Sequence, residues 1–445
     1  MSNSSTAKLN FLAVVSIVIG SQVGSGAFVL PALLAPSKTI GLLGWIVSVI
    51  GAISLALVFA DLSSHLPKNG GPHVYVSEAF GKVAGFFTAW VYWIISWSSS
   101  AVLLITAIGY LTIITGKLST CSVLSLEIMA LFLITYLNTL SIKFSGIVET
   151  ILTIFKITPL IILPVIFFMY FDGAHFVVSA KEAANGADIS SIIAQTTLLI
   201  FWGFIGVECA TTPAESVNNP KKTLPRAIII GTSCVALIYI MNTIAVTGVV
   251  GFDALIDAKA PYALVIDRVF SHSSDIAISI MAIIVCIGTL NAWTLTGGQI
   301  AIGAYNDGLF PKILGKTNKS GAPTTALIIS ALGMIPFLVF EQMDWWRNGL
   351  EKLIDLLVSV FIYVYLMSCI AYMKLLTKWK HKRSEKIKSQ ILAQVAAIFC
   401  IFVLSHDTVA SLIVLGIFIA IGVPVLYKQR KVRTFTRTPQ KLHNR

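Results

Sequence analysis

Charged residues are scarce in this sequence. Only 12% of its 445 residues are Asp, Glu, Lys or Arg, whereas 56% are hydrophobic, and the mean hydropathy is +0.86. Soluble domains carry about 25% charged residues, so the composition excludes a soluble globular protein and predicts a polytopic membrane protein. Since no stretch between the apolar runs is long enough for a separate soluble domain, residues 1–445 are expected to form a single domain.

The sequence also lacks the clusters of residues that bind metals, form disulfide frameworks or perform catalysis. Its six cysteines include no C-x-x-C pair and lie mostly in apolar runs, while its seven histidines lie in loops or at the ends of the runs. Neither set has the spacing of a metal site. The apolar runs contain no cluster of His, Asp or Ser suited to catalysis. We therefore expect no metal, no cofactor and no enzymatic activity.

What the chain does contain is a series of apolar runs long enough to cross a bilayer, each of about 17–25 residues. Twelve runs lie near residues 10–34, 41–63, 84–113, 121–141, 146–171, 190–214, 226–250, 274–304, 323–340, 354–375, 389–405 and 408–427. The first run is too long for a signal-peptide core and no small-residue cleavage site follows it, so it is predicted to be retained. The sequence predicts an all-α protein with twelve transmembrane helices.

The net charge of +12 could suggest nucleic acid, but the placement of the basic residues indicates membrane topology instead. Of the 32 Lys and Arg residues, 24 lie at the N-terminus, in the even-numbered loops or in the tail. The positive-inside rule therefore predicts that both termini are cytoplasmic. The basic clusters at 378–383 and in the cytoplasmic tail, 428–445, are interpreted as anchors facing anionic lipid, with a partner-binding tail as the alternative. We expect no nucleic-acid partner.

The seven residues 20–26 interrupt the first apolar run. Gly20-Ser-Gln-Val-Gly-Ser-Gly26 contains three glycines and three polar residues where a continuous membrane helix would avoid them. Non-helical backbone survives at membrane depth only where it lines a cavity or is buried in protein. A new helix beginning at Ser25 and Gly26 would present N–H groups and a positive dipole end to an anion such as a carboxylate. The alternative is that small residues here allow close helix packing.

The sixth run contains a similar interruption. Trp202-Gly-Phe-Ile-Gly-Val-Glu208 places two glycines and a charge inside an apolar run, five runs after the first interruption. A pair of glycine-interrupted spans in corresponding positions is typical of inverted-repeat transporters, whose substrate site lies at the membrane midplane. The two interruptions together therefore predict a transporter with a central site.

Three segments resemble one transporter superfamily. Glu215-Ser-Val-Asn-Asn-Pro-Lys-Lys-Thr-Leu-Pro225 is similar to the Glu-x-x-x-Asn-Pro-basic-basic-x-x-Pro segment of the amino acid, polyamine and organocation (APC) superfamily. Residues 24–28 and 306–311 resemble two further motifs of that superfamily. The chain looks most like the bacterial basic amino acid and polyamine antiporters of the arginine/agmatine type. That resemblance rests on the residues Tyr92, Trp93, Trp202, Ile205, Gly206, Val207, Glu208, Trp293, Thr294, Leu295 and Tyr365.

The resemblance implies a fold and an assembly. It implies two inverted five-helix repeats, a 5+5 arrangement with broken first and sixth helices. The repeats would cover about 10–171 and 190–375, followed by two extra C-terminal helices at about 389–427. Proteins of this type are often homodimers, so the resemblance also implies a homodimer.

The resemblance also implies roles for individual residues. Backbone amides around Ser25 and Gly26 would hold the substrate carboxylate, and carbonyls near Trp202 and Ile205 its amino group. Trp293 would pack against the substrate side chain. The residues implied as gates are Tyr92, Trp202 and Tyr365.

Three positions depart from the arginine/agmatine pattern. Ser100, which we also assign to the substrate site, replaces a third-span asparagine, and Leu357 replaces a tenth-span serine. These two changes leave the identity of the substrate open. Lys156 is the third departure, because proton-coupled members of the same superfamily carry a lysine in that region, where its ammonium resembles a substitute for a sodium ion.

Charged residues inside spans are costly, so each needs a compensating role. Glu208 follows the sixth-span break and is predicted to take up a proton or recognise a cation. For Lys156 two roles remain open, proton coupling or helix packing with its amine bound to carbonyls of the broken first span. Glu149, seven residues earlier on the same helical face, is interpreted as part of the surface or of a gate.

The sequence thus predicts a secondary transporter in the inner (plasma) membrane that exchanges a cationic amino acid for a related amine or amino acid. The alternative is a proton-coupled amino acid uptake symporter, which Lys156 favours. A channel or receptor is disfavoured because neither needs paired broken helices. The expected partners are an amino acid or polyamine substrate and membrane lipid.

Overall fold

The structure is a computed structural model that describes residues 8–177, 188–256, 258, 261–270, 275–343, 349–379, 383–406 and 409–436. Within these ranges the backbone forms helices and turns, with a single β-type bridge between Leu9 and Val217. The α-helices are α1 (Phe11–Gln22), α2 (Gly26–Leu34), α3 (Lys38–His65), α4 (Pro72–Phe80), α5 (Lys82–Thr115), α6 (Thr120–Leu140), α7 (Ile142–Phe167), α8 (Ile189–Phe201), α9 (Pro220–Val250), α10 (Phe252–Ile256), α11 (Pro261–Phe270), α12 (Asp275–Asn306), α13 (Thr324–Glu341), α14 (Gly349–Lys378), α15 (Arg383–Ser405) and α16 (Val409–Thr436).

Eleven helical segments of the described chain are long and apolar enough to cross a membrane. The first of them, Phe11–His65, includes the first two predicted spans, because the 3₁₀ turn Ala35–Ser37 joins α2 directly to α3. The prediction of an all-α polytopic membrane protein is confirmed. The count of twelve spans and the inverted repeat stay predictions.

The first apolar run is broken where its glycine and serine residues predict. The α1 helix ends at Gln22, and Val23 adopts an extended conformation with ψ of 94°, although its N–H still donates to the Ile19 carbonyl over 2.8 Å. The next helix, α2, begins at Gly26. Residues 23–25 therefore separate two short helices, and the carboxyl end of α1 and the amino end of α2 face each other.

The break after α8 extends further than the sequence predicts. The sixth span was expected to continue to about residue 214, but the α-helix ends at Phe201, and three 3₁₀ turns follow before α9. They are Trp202–Phe204, Cys209–Thr211 and Ala214–Ser216. The chain reverses at Gly206, whose φ of +110° strains any residue with a side chain, and a Cβ there would lie 2.6 Å from the Ser21 hydroxyl oxygen.

Hydrogen bonds join the two broken regions at two places. At one end the Leu9 N–H donates to the Ser216 carbonyl over 2.7 Å, and the Asn218 N–H donates to the Leu9 carbonyl over 3.0 Å. At the other end the Ser21 hydroxyl donates to the Gly206 carbonyl over 3.0 Å. The α12 helix packs against α1, α5 and α7 and so forms one side of the space between the breaks.

Candidate functional site

A narrow cavity of about 30 Å³ lies between the two breaks. Its lining residues are Ser21, Gln22, Gly24, Ser25, Gly26, Ser99, Leu103, Trp202, Gly203, Ile205, Tyr239, Thr289, Trp293 and Phe361. None of these side chains carries a charge. A ligand must therefore be bound by backbone groups, hydroxyls and aromatic faces.

One wall of the cavity supplies hydrogen-bond donors. In the first turn of α2 the Ala27 N–H donates to the Gly24 carbonyl and the Phe28 N–H to the Ser25 carbonyl. The N–H groups of Ser25 and Gly26 precede these bonds and donate to no acceptor among the described residues. Two free donors at the positive end of a helix form a suitable site for a carboxylate.

A second wall supplies acceptors. The α8 helix ends at Phe201, and the carbonyls of Gly203 and Ile205 in the following turn accept no hydrogen bond from the described residues. The negative ends of α1 and α8 both point toward this region, which favours a cation. An ammonium group and a carboxylate therefore find complementary partners in the same cavity.

Aromatic side chains form the remaining surface. The Trp293 indole N–H donates to the Ser21 carbonyl over 3.2 Å, and its ring centroid lies 5.2 Å from that of Phe361. Trp202 lies across the cavity, beside Gly26. Because a desolvated cation over an aromatic face gains roughly 2 kcal/mol or more, these rings can bind a cationic side chain without an acidic residue.

Glu208 lies outside the cavity, fully buried and held by both predicted tyrosine gates. The Tyr92 hydroxyl donates to one carboxylate oxygen over 2.7 Å and the Tyr365 hydroxyl to the other over 2.5 Å. The Tyr365 oxygen also accepts the Gly206 N–H over 3.1 Å. The two gates and Glu208 thus form one hydrogen-bonded group attached to the second break.

The structure does not bring Ser100 to the cavity. The Ser100 hydroxyl donates to the Ser96 carbonyl within its own helix, and the side chain lines a separate small cavity that Trp293 also borders. Its neighbour Ser99 lines the central cavity instead. One residue along an α-helix turns the side chain by about 100°, so a shift of one position moves it to another face. Leu357 does not line the cavity either, whereas Phe361, one turn later, does.

Lys156 is fully buried and bound to the end of α1. Its ammonium donates to the Gly20 carbonyl over 2.6 Å and to the Thr289 hydroxyl over 3.3 Å. Thr289 in turn donates to the Val23 carbonyl over 2.5 Å. The Lys156 amine therefore binds the Gly20 carbonyl, which the broken helix leaves without a helical partner. This contact is the one expected if Lys156 serves helix packing, and it does not conflict with a role in proton coupling.

The interpretation of Glu149 as a surface residue is wrong. Its side chain is fully buried, and its carboxylate lies 3.7 Å from the Lys156 ammonium. The Asn291 amide donates to the same carboxylate over 2.7 Å and the Thr153 hydroxyl over 3.0 Å. Gly20 allows the Glu149 carboxylate to lie directly against α1, because a Cβ at position 20 would lie 1.8 Å from a Glu149 oxygen. The seven-residue spacing placed both charges on one face but gave no information on the helices that cover that face.

Sequence reasoning missed five residues of the cavity, which are Ser99, Leu103, Tyr239, Thr289 and Phe361. Phe361 had a usable signal, since it precedes the predicted gate Tyr365 by one helical turn and so shares its face. Tyr239 accepts the Gly24 N–H over 3.4 Å and donates to the Gln22 carbonyl over 2.9 Å. It comes from α9, and nothing in its local sequence indicates this contact.

Comparison with protein families agrees with this geometry. A model of a family described as amino acid permease matches residues 9–436, which is nearly the whole chain. The chain belongs to the amino acid permease family. This membership confirms the resemblance to the APC superfamily.

Individual relatives within the permease family are similar over most of their length. The cadaverine/lysine antiporter of Escherichia coli K12 is 28% identical over 435 residues, 96% of each chain. The arginine/ornithine antiporter of Pseudomonas aeruginosa is 28% identical over 451 residues, 97% of this chain and 92% of the relative. The putrescine transporter PotE of Haemophilus influenzae is 28% identical over 405 residues, 90% of this chain and 92% of the relative.

Proposed function

We propose that this permease is an antiporter that exchanges a cationic amino acid for a related amine or amino acid. The observation that supports this most directly is the uncharged cavity between helix ends of opposite polarity. Its relatives named above include antiporters for lysine and cadaverine and for arginine and ornithine. Binding without an ionised side chain suits substrates that must leave the site readily after each half of an exchange cycle.

The two walls explain how one site accepts both an amino acid and an amine. The carboxylate of the amino acid binds the Ser25 and Gly26 N–H groups, and its α-ammonium binds the carbonyls of Gly203 and Ile205. A diamine lacks the carboxylate but retains an ammonium at the carbonyl wall. In both cases the second cationic group lies against Trp293 or Trp202. The amine thus binds by a subset of the same contacts.

Gating and proton response belong to the group around Glu208. In this proposal Tyr92 and Tyr365 act as a gate that is held closed while both hydroxyls donate to the Glu208 carboxylate, and Trp202, beside Gly26, acts as a further gate. Protonation of Glu208 would convert it from an acceptor of two strong hydrogen bonds into a group that can donate one. Such a change would loosen the gates.

Lys156 supports the alternative, a proton-coupled uptake symporter. Its contact with the Gly20 carbonyl would weaken if the amine lost its proton. If Lys156 performs the coupling, a Lys156→Ala protein should exchange substrate but fail to concentrate it when a pH gradient is applied. Under the antiport proposal, gradient-driven and exchange transport of this variant should change together.

Counterflow in proteoliposomes tests the antiport proposal. Vesicles loaded with unlabelled lysine, arginine, ornithine, cadaverine or putrescine should transiently accumulate the labelled partner. Gly26→Val should abolish this accumulation, because the branched side chain extends beyond a Cβ that already contacts Trp202 at 3.4 Å. Gly416→Val is the matched control, since no atom lies within 4 Å of a Cβ at that helical position. Saturable uptake without counterflow would contradict the proposal.

The proposal includes a location and an assembly. The permease would be a multi-pass protein of the inner membrane with both termini cytoplasmic. On α16 the side chains of Leu412, Ile413 and Ile417 are half or more exposed, as expected for a surface covered by lipid. A second copy of the chain could cover the same surface in a homodimer.

A further inference from the structure

A second recess lies away from the central cavity, where α5 ends, α6 begins and α13 ends. It is open, has a volume of about 450 Å³, and shares no lining residue with the central cavity. Its polar lining consists of Thr112, Lys117, Glu127, Glu341 and Gln342. Because three helix ends meet there, the recess lies near one boundary of the membrane.

Glu127 makes this recess unusual. It is the eighth residue of α6, about 10 Å along the helix axis from its start. Its side chain is only 1% exposed, and its Oε2 atom has no hydrogen-bond partner among the described residues. An ionisable group inside a membrane span is expensive to bury and usually has a partner. Among the described residues this carboxylate oxygen therefore has no partner, and it is available to bind a ligand.

A second carboxylate increases the need for a cation. Glu341 borders the same recess as Glu127, so acidic side chains from two helices share it. A Glu341 oxygen accepts the Gln342 amide over 3.0 Å. The described residues contain no group of three acidic, His or Cys side chains that could hold a metal ion. An organic ammonium fits better, because it offers three N–H donors to carboxylates on two different helices.

We propose that this recess binds a primary ammonium group, supplied by a phosphatidylethanolamine headgroup or by a free amine. Lys117 borders the same recess and lies three residues before the start of α6, where its ammonium could bind a lipid phosphate.

Lipid retention tests the proposal. The full-length protein is extracted from nanodiscs containing equal amounts of phosphatidylethanolamine and phosphatidylcholine, and the bound lipid is counted by native mass spectrometry. The wild type should retain phosphatidylethanolamine in preference to phosphatidylcholine, whose trimethylammonium has no N–H donor. Glu127→Gln should lose this preference. Glu78→Gln, which removes the same charge from an exposed position, should keep it.

A soluble probe separates the two sources of the ammonium. Ethanolamine should raise the melting temperature of the wild type, and Glu127→Gln should bind it about tenfold more weakly or worse, as expected when a hydrogen bond to a charged group is lost. If Lys117→Ala retains less phosphatidylethanolamine than the wild type but keeps the ethanolamine response, the source is the lipid. If ethanolamine stabilises the wild type while the lipid preference is absent, the source is a free amine.

Two results would overturn the proposal. One is equal retention of both lipids by the wild type together with no response to ethanolamine. The other is a Glu127→Gln protein that matches the wild type in both assays. If Glu127→Gln fails to fold, Glu341→Gln takes its place, and it should weaken both responses because it removes the second carboxylate.

Discussion

Removing one member of the Glu149–Lys156 pair should destabilise the protein far more than removing both. Each side chain is fully buried, so loss of either partner leaves a charge with no solvent to replace it. Breaking a buried ion pair from one side costs roughly 3–5 kcal/mol, whereas replacing both partners by neutral residues of similar volume is often nearly neutral. Glu149→Gln and Lys156→Met should each cost roughly that amount, and the double variant much less.

The two single variants should respond to pH in opposite directions. Lys156→Met leaves a buried carboxylate, which can become neutral by taking up a proton, so its destabilisation should shrink as the pH is lowered. Glu149→Gln leaves a buried ammonium, which becomes neutral by losing a proton, so its destabilisation should shrink as the pH is raised. The double variant retains neither charge and should show neither trend.

Unfolding by denaturing detergent, followed by tryptophan fluorescence at several pH values, measures these effects. The matched control is Asp253→Asn, which breaks the ion pair between Lys38 and Asp253. Its separation of 3.5 Å is similar to that of the Glu149–Lys156 pair, but the Asp253 side chain is 86% exposed. That change should cost at most about 1 kcal/mol. If the effects of Glu149→Gln and Lys156→Met simply add in the double variant, the two charges are not coupled, and the argument fails.

Three further predictions concern the central site. Gly206→Ala should destabilise the protein and abolish transport, because φ is +110° and the new Cβ would meet the Ser21 hydroxyl at 2.6 Å; retained uptake would contradict this. Trp293→Leu should weaken the binding of lysine-sized cationic substrates more than the binding of alanine. Binding assays on the purified protein can compare the two, and equal weakening would show that Trp293 is a packing residue without a role in substrate selection. Glu208→Gln should bind substrate but lose much of the pH dependence of transport, so an unchanged pH profile from about pH 5 to pH 8 would exclude Glu208 as the proton-responsive group.

The sequence predicts the position of the breaks better than their shape. Gly24, Ser25 and Gly26 cannot support a continuous membrane helix, so the first break was placed correctly. After α8 the chain is apolar as far as Ala210 except for Glu208, and hydropathy cannot distinguish buried 3₁₀ turns from helix. The extent of the second break was therefore underestimated.

Side-chain partners across helices were the least predictable feature. Glu149 is buried because Gly20 on α1 leaves room for its side chain and the Asn291 amide on α12 donates a hydrogen bond to it. Neither Gly20 nor Asn291 is near Glu149 in sequence. The environment of Glu127 could not be predicted, because a single acidic residue in an apolar run gives no indication of which helices surround it. Ser100 was misplaced by one residue because helical rotation, which decides whether position 99 or 100 meets the cavity, depends on packing.

The two connections between the broken regions limit how α1 can move. Leu9 is joined to Ser216 and Asn218, and Ser21 is joined to Gly206. These attachment points are twelve residues apart, or about 18 Å along a helix, so α1 cannot pivot about one of them without breaking the other. During a transport cycle α1 and the segment 206–218 should therefore move together as one rigid unit that rotates about the extended residue Val23, which follows α1. Deleting residues 1–9 would release one end of that unit.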